Sequence, residues 1–104
     1  MNKLVSIITP SYNSSRFIGE CIQSVLNQTY QNWEMIIVDD CSYDNSREII
    51  SELVLNDSRF KILFLKENIG PAMARNIAIK QSKGKYIAFL DADDLWKKQK
   101  LETQ

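Results

Sequence analysis

Four short apolar runs, separated by segments with helical spacing, constrain the fold of this chain more than any other feature. The runs are Leu4 to Ile8, Trp33 to Val38, Lys61 to Leu65 and Tyr86 to Leu90, each about the length of one strand. Between them, apolar residues recur every three or four positions, which is typical of helices with one buried face. This strand–helix order with short links predicts right-handed crossovers and a mostly parallel sheet with helices on both faces. We therefore expect an α/β protein with a three-layer α/β/α, Rossmann-like sheet.

Local signals place several boundaries of these elements. Pro10 marks the end of the first strand, because proline has no N–H to give to a sheet ladder. Asn45 and Glu48 have the spacing of a capping box at the start of the second helix, and Pro71 suits the first position of the third. The charged segment from Leu95 to Gln104 predicts the beginning of a further helix.

Composition limits the class of function. A length of 104 residues fits one small domain, and 13 basic residues balance 13 acidic ones, so no positive field is available to attract nucleic acid. No apolar run approaches the ~20 residues of a transmembrane helix, and the N-terminal residues do not form a signal peptide. We therefore expect a cytoplasmic segment, which other parts of the full-length protein could tether to the cytoplasmic face of a membrane.

The absence of histidine excludes a His-based triad or general base, and with only two cysteines it also excludes zinc sites of the Cys/His kind. Cys21 falls on the apolar face of the first helix, where we expect it to pack as a small apolar residue. Cys41 follows two aspartates, whose negative charge disfavours a nucleophilic thiolate.

Polar and charged residues follow each predicted strand. The run from Tyr86 to Leu90, which we expect to be buried on both faces of the sheet, leads directly into Asp91, Asp93 and Asp94. Because parallel strands end at one edge, the loops after all four strands should converge there. The acidic cluster suits a hard divalent cation such as Mg²⁺ or Mn²⁺; the alternative is a solvated turn that caps a helix.

The same edge would carry an aromatic ring, two acceptors and a cation. These are Tyr12, the pair Asp39 and Asp40, and Arg75 on the third helix. A nucleoside diphosphate needs such a set, because its base requires a packing surface and an acceptor, and its phosphates require positive charge. Each residue also has an ordinary alternative: a half-exposed aromatic, an Asx-turn or a solvated helix position.

Five motifs follow one another along the chain: Ile7-Ile-Thr-Pro-Ser-Tyr-Asn13, Ser24-Val-Leu-Asn-Gln-Thr-Tyr30, Ile37-Val-Asp-Asp-Cys-Ser-Tyr-Asp-Asn-Ser46, Asn68-Ile-Gly-Pro-Ala-Met-Ala-Arg-Asn76 and Phe89-Leu-Asp-Ala-Asp-Asp94. In these five motifs, which are in register, the chain strongly resembles the N-terminal half of the family 2 glycosyltransferases, which have the GT-A fold. A glycine is common in the family at position 41 and a threonine at position 43, so Cys41 and Tyr43 are departures from the pattern. We interpret residues 1–104 as the nucleotide-sugar-binding part of such a domain, truncated after the Asp-x-Asp strand.

The resemblance implies a role for each matching residue of the nucleotide site. Pro10 and Tyr12 are expected to line the nucleobase pocket, with Tyr12 packing on the base. Asp40 is expected to accept the uracil N–H. Arg75 is expected near the diphosphate, and Asp91 on the ribose side.

The resemblance also implies a metal and a reaction. Asp93 is expected to ligate Mn²⁺ or Mg²⁺, with Asp94 assisting through water and Asp39 shaping the loop of Asp40. The metal would neutralise charge on the departing nucleoside diphosphate. The implied activity is inverting transfer from a nucleotide-sugar, with UDP the best guess, to a hydroxyl of a glycan or lipid-linked acceptor, as in surface polysaccharide synthesis. The general base is expected beyond residue 104, so the chain alone should not transfer sugar.

Three alternatives start from the same acidic strand ends. A receiver domain would carry its acidic pair after the first strand, where this chain has Thr9, Pro10 and Ser11. A phosphatase using Asp-x-Asp would also carry it after the first strand rather than the fourth. A non-catalytic nucleotide-sugar binder stays open, because the acceptor part of the site is absent.

Overall fold

The computed structural model describes residues 3–102 as alternating strands and helices. In chain order these are β1 (Val5–Ser11), α1 (Ile18–Leu26), β2 (Trp33–Asp39), α2 (Ser46–Val54), β3 (Phe60–Phe64), α3 (Pro71–Gln81) and β4 (Tyr86–Phe89). All pairings in the sheet are parallel, and the strand order is β3-β2-β1-β4. The predicted α/β fold is confirmed. None of the helices among these residues is long and apolar enough to cross a bilayer.

The sheet has one apolar core on each face, because side chains alternate along β1 and β2. Ile7 and Ile37 belong to the larger core, which α1 and α2 cover. Ile8 and its neighbours on β2 face the other way and pack on α3 through Ala74 and Ala78. These alanines are one helical turn apart and have the smallest apolar side chains, so α3 can lie close to the sheet. The result is the predicted three-layer arrangement.

β1 is longer than the sequence predicted. It continues through Pro10, which pairs with Val38, to Ser11. The carbonyl of Ile8 accepts the Leu90 N–H at 3.0 Å, so Ile8 and, two residues on, Pro10 direct their backbone groups towards the β4 side. The β1–β4 pairing has ended at this level, so the absence of an N–H on Pro10 breaks no hydrogen bond of that pairing. The prediction that Pro10 ends the strand was therefore wrong by one residue.

The expectation that the Tyr86 to Leu90 strand is buried on both faces was wrong. Tyr86, Ile87 and Phe89 are 46%, 43% and 55% exposed, and only Leu90, just past the strand, is fully buried. β4 is an edge strand that pairs only with β1 among the described residues. An apolar run indicates a strand, but it does not give the position of that strand in the sheet.

Two predicted helix signals also differ from the structure, and one is confirmed. Asn45 makes no capping hydrogen bond with its side chain; its neighbour Asp44 instead accepts the Ser46 N–H at 2.9 Å. Within the described residues, 95–97 have no regular structure and 98–102 form turns rather than a helix, and 103–104 lie outside them. Pro71 does begin α3, as predicted.

The strand order reverses between β1 and β4. The chain passes from β1 outwards to β2 and β3, then returns to place β4 on the opposite side of β1. At such a point the loops leave neighbouring strands in opposite directions, which opens a crevice at the carboxyl edge of the sheet. The candidate site lies in this crevice.

Candidate functional site

The loop after β4 alternates between buried and exposed residues. Leu90 and Ala92 belong to the larger core, whereas Asp91, Asp93 and Asp94 are exposed. Ala92, the small residue between Asp91 and Asp93, therefore anchors the loop, while the carboxylates of these two aspartates point outwards. One carboxylate oxygen from each of the three aspartates lies within 4.8 Å of the others.

This arrangement fits a hard divalent cation. Carboxylate oxygens are the ligands that Mg²⁺ and Mn²⁺ prefer, and here they converge from one short loop. Arg75 Nη2 lies 3.2 Å from Asp91 Oδ1. In residues 3–102 no ion pair involves Asp93 or Asp94, so their charge is available to a cation.

Cys21 packs beneath this loop, as expected. Its thiol is buried and directs Sγ at the carbonyl oxygen of Asp91, 3.6 Å away. Burial, with the nearby negative charge of Asp94, Asp93 and Asp91, raises the pKa of Cys21 to about 12. The residue is therefore a neutral thiol at physiological pH.

The loop after β1 is held by side chains of the loop after β2. Three consecutive backbone N–H groups each donate across: Asn13 to Ser42 Oγ at 2.8 Å, Ser14 to Ser46 Oγ at 2.8 Å and Ser15 to Asp44 Oδ2 at 3.2 Å. Burial disfavours the ionised form of Asp44, but hydrogen bonds from Ser46 and Ser15 outweigh it and lower the pKa of this carboxyl. These contacts fix the backbone that carries Tyr12, whose ring is 47% exposed.

Asp39 organises the turn that follows β2. It is fully buried and accepts the Ser42 N–H at 2.9 Å, the Ser42 hydroxyl at 2.6 Å and Arg47 Nε at 2.9 Å. Arg47 also donates to the carbonyl of Leu65, at the end of β3. The pair joins the carboxyl ends of two adjacent strands.

Asp40 holds the loop that leads into α3. It is 3% exposed, and its two oxygens accept the backbone N–H groups of Ile69 and Gly70, each at 2.8 Å. The Asn68 side chain donates to the Asp40 carbonyl at 3.1 Å. Gly70 has φ 92°, a left-handed conformation that favours glycine. No pattern in the sequence predicts this role for Asp40.

One cleft of about 480 Å³ brings the predicted site residues together. Its lining includes Pro10, Tyr12, Asp40, Arg75, Asp91 and Asp93. Other lining residues were not predicted, among them Phe17, Asn68 and Gly70. Phe17 has helical spacing with the apolar face of α1, but it lies just before that helix and is half exposed.

The fold defines an α/β protein whose parallel sheet has an acidic cleft at its switch point, the place where such sheets bind ligands. The sequence matches a known family. The sequence model of the family described as glycosyl transferase family 2 matches residues 6–104 of this chain. The chain therefore belongs to this family, which separates it from the receiver and phosphatase alternatives.

Similar proteins agree with this assignment. The Escherichia coli protein WfgD, described as a UDP-Glc:α-D-GlcNAc-diphosphoundecaprenol β-1,3-glucosyltransferase, is 52% identical over 101 residues, which are 97% of this chain and 39% of that protein. The chain spans about 40% of the length of the curated relatives that it matches first.

Two solved structures share the fold. S. aureus TarS 1-349 in complex with UDP superposes with a TM-score of 0.88 at 36% identity, over 95% of this chain and 30% of that one. The mannosyltransferase PcManGT from Pyrobaculum calidifontis, in complex with GDP-Man and Mn²⁺, superposes with a TM-score of 0.85 at 26% identity, over 92% and 29%. Both neighbours are glycosyltransferases of the GT-A fold.

Proposed function

We propose that residues 1–104 bind the donor of a glycosyltransferase, a UDP-sugar complexed with Mn²⁺ or Mg²⁺. The observation that carries the proposal is that the six residues matching the nucleotide and metal motifs line one cleft. The choice of UDP is supported by the TarS complexes with UDP and UDP-GlcNAc and by the UDP-Glc named for WfgD.

The nucleoside would lie between the ends of β1 and β2. Tyr12 offers a half-exposed ring for the base to pack on, beside the ring of Pro10. Asp40 would accept the uracil N–H. Its two oxygens each already accept one backbone N–H, but a carboxylate has about four lone-pair sites, so acceptor capacity remains. Because these bonds fix the carboxylate, it would meet the base without reorganising.

The diphosphate would lie between α3 and the loop after β4 that carries Asp91, Asp93 and Asp94, here called the acidic loop. The first turn of α3 carries no acidic residue, but the Asp40 carboxylate already accepts the Gly70 N–H at the start of this helix, so positive charge for the diphosphate would come from Arg75 and the metal. Arg75 would meet the diphosphate and Asp91 the ribose, and the ion pair between them would open to admit the donor. Asp93 would hold the metal, with Asp94 assisting through water. When bound, the metal supplies charge neutralisation for the departing diphosphate.

Transfer to an acceptor needs a general base within hydrogen-bond reach of the acceptor hydroxyl. The acidic residues of the cleft are assigned to nucleotide and metal. We therefore place the base beyond residue 104 and expect the chain alone to bind donor without inverting transfer. The diphosphoundecaprenol-linked acceptor of WfgD suggests a lipid-linked glycan acceptor in polysaccharide synthesis. The parent enzyme would then act at the cytoplasmic face of a membrane, with no nucleic-acid partner.

Calorimetric titration of the chain with UDP, with Mn²⁺ and with chelator, tests the proposal. We expect Asp93→Asn to abolish the gain in UDP affinity that Mn²⁺ provides, because the substitution removes the proposed ligand charge. Glu52→Gln is a control, because it removes the same charge from an exposed position on α2. UDP binding that Mn²⁺ does not change, or a gain that survives in Asp93→Asn, would contradict the assignment.

A further inference from the structure

We infer that Gln28 is a positioning residue for the acidic loop. Gln28 lies just after α1, in the Ser24 to Tyr30 motif, to which the proposed site assigns no role. The inference rests on the proposed function in one respect: it takes Asp91, Asp93 and Asp94 as the residues that meet the metal and the diphosphate.

Gln28 is 1% exposed, and both polar atoms of its side-chain amide form hydrogen bonds. Its Nε2 donates to the carbonyl of Lys97 at 2.7 Å and to that of Ser24 at 3.2 Å, and its Oε1 accepts the Leu101 N–H at 3.0 Å. The next residue adds a backbone bond, because the Thr29 N–H donates to the carbonyl of Lys98 at 2.9 Å. The end of α1 therefore holds the segment from Lys97 to Leu101 at three backbone positions.

This segment is the C-terminal side of the acidic loop and is called its second limb. Residues 90–92, on the N-terminal side, are called the first limb. The first limb is fixed by Leu90, which pairs with β1, and by Ala92 in the core. The second is fixed by Gln28 and by the side chain of Leu101, which is 1% exposed in the same core. Between these limbs Asp93, Asp94 and Leu95 are exposed. Their positions depend on where the two limbs are held.

The anchor requires the chemistry of glutamine. One side chain must donate to a carbonyl and accept from an N–H at once, at the end of a long stem, and remain uncharged while buried. Methionine matches its length and flexibility but makes neither bond. Groups that hydrogen-bond and orient the ligands of a metal typically change metal affinity by roughly 10–100-fold when removed. Gln28 acts through the backbone of the loop, so we expect an effect at the lower end of this range.

The test compares Gln28→Met with Gln23→Met. Gln23 is an exposed glutamine within α1, and its side chain contacts only Asn27 among the contacts described. Two affinities are measured for each variant by calorimetry: UDP with Mn²⁺, and UDP with chelator. We expect Gln28→Met to weaken the Mn²⁺-dependent part by about tenfold or more and to leave the chelator value within about twofold of the wild type. Gln23→Met should change neither. Unchanged Mn²⁺ dependence, or an equal loss of both affinities, would overturn the inference.

Hydrogen exchange separates this inference from the proposed function. The Leu101 amide should exchange much faster in Gln28→Met, while the Leu90 amide, bonded to β1, keeps its protection. If the wild type binds neither UDP nor Mn²⁺, the proposed function fails. If the Leu101 amide is also equally protected in the wild type and in Gln28→Met, the inference about Gln28 fails as well. If Gln28→Met does not fold, Leu101→Ala serves as the second variant, because it weakens the packing of the second limb in the core. This variant must show the same selective loss of Mn²⁺ dependence.

Discussion

Replacing Asp40 by asparagine should destabilise the fold, not only alter the base pocket. Each oxygen of Asp40 accepts a backbone N–H at 2.8 Å, from Ile69 and from Gly70. In Asp40→Asn one oxygen becomes an NH₂ group that faces one of these donors. One N–H is left partly buried without an acceptor, at about 1–3 kcal/mol, and the remaining bond loses its charge assistance, at about 1 kcal/mol. We expect the free energy of unfolding to fall by about 2–4 kcal/mol.

Urea unfolding followed by circular dichroism measures this change. Asp93→Asn is the matched control, since it makes the same substitution on an exposed carboxylate, and it should stay within about 0.5 kcal/mol of the wild type. A loss below about 1 kcal/mol in Asp40→Asn would show that the two backbone bonds are not formed in solution. The result also decides how UDP binding by Asp40 variants is interpreted, because an altered α3 loop would move Arg75.

Two further predictions concern the amino end of the sheet, where the loop before β4 is attached. A Cβ on Gly84 would lie 2.4 Å from Ser6 Oγ, 2.7 Å from Ser6 N and 2.9 Å from the Leu4 carbonyl, so Gly84→Ala should lower the free energy of unfolding by about 1–3 kcal/mol; wild-type stability by urea unfolding would contradict this packing. Burial favours the neutral form of Glu34, but hydrogen bonds from Ser6 and the Lys83 N–H outweigh it and lower the pKa of this carboxyl. Its stabilising contribution is therefore present above the unfolded-state pKa and is lost as pH falls through the folded value. Urea unfolding at decreasing pH should show a smaller loss in Glu34→Gln than in the wild type, and equal slopes would refute this.

The fold could be predicted because its signals are local. Period and length of the apolar runs identified the strands and helices, and parallel topology followed from their order. The exposure of Ile87 and Phe89 could not be predicted in this way. It depends on the position of β4 at the edge of the described sheet, which the composition of the strand does not encode.

The candidate site shows the same distinction between features that local sequence signals predict and features that depend on long-range contacts. The residues that meet in the cleft could be predicted, because they follow strands whose carboxyl ends share one edge. The contacts that hold them could not. Asp40 bonds residues almost thirty positions away, and Gln28 bonds residues about seventy positions away. No spacing rule in the sequence relates such pairs. The start of α2 shows a smaller limit, since Asp44 rather than Asn45 accepts the hydrogen bond there.

Pro10 explains why the crevice between β1 and β4 stays open. In a parallel ladder, a residue whose N–H donates to a carbonyl of the neighbouring strand accepts, with its own carbonyl, the N–H that lies two residues further along that strand. Leu90 gives its N–H to the Ile8 carbonyl, so its own carbonyl would next require the N–H of residue 10. Proline has none, and the pairing between the two strands stops there. If the pairing continued, Asp91 would become part of β4 and lie alongside β1. The acidic loop would then not separate from β1 to form one side of the crevice.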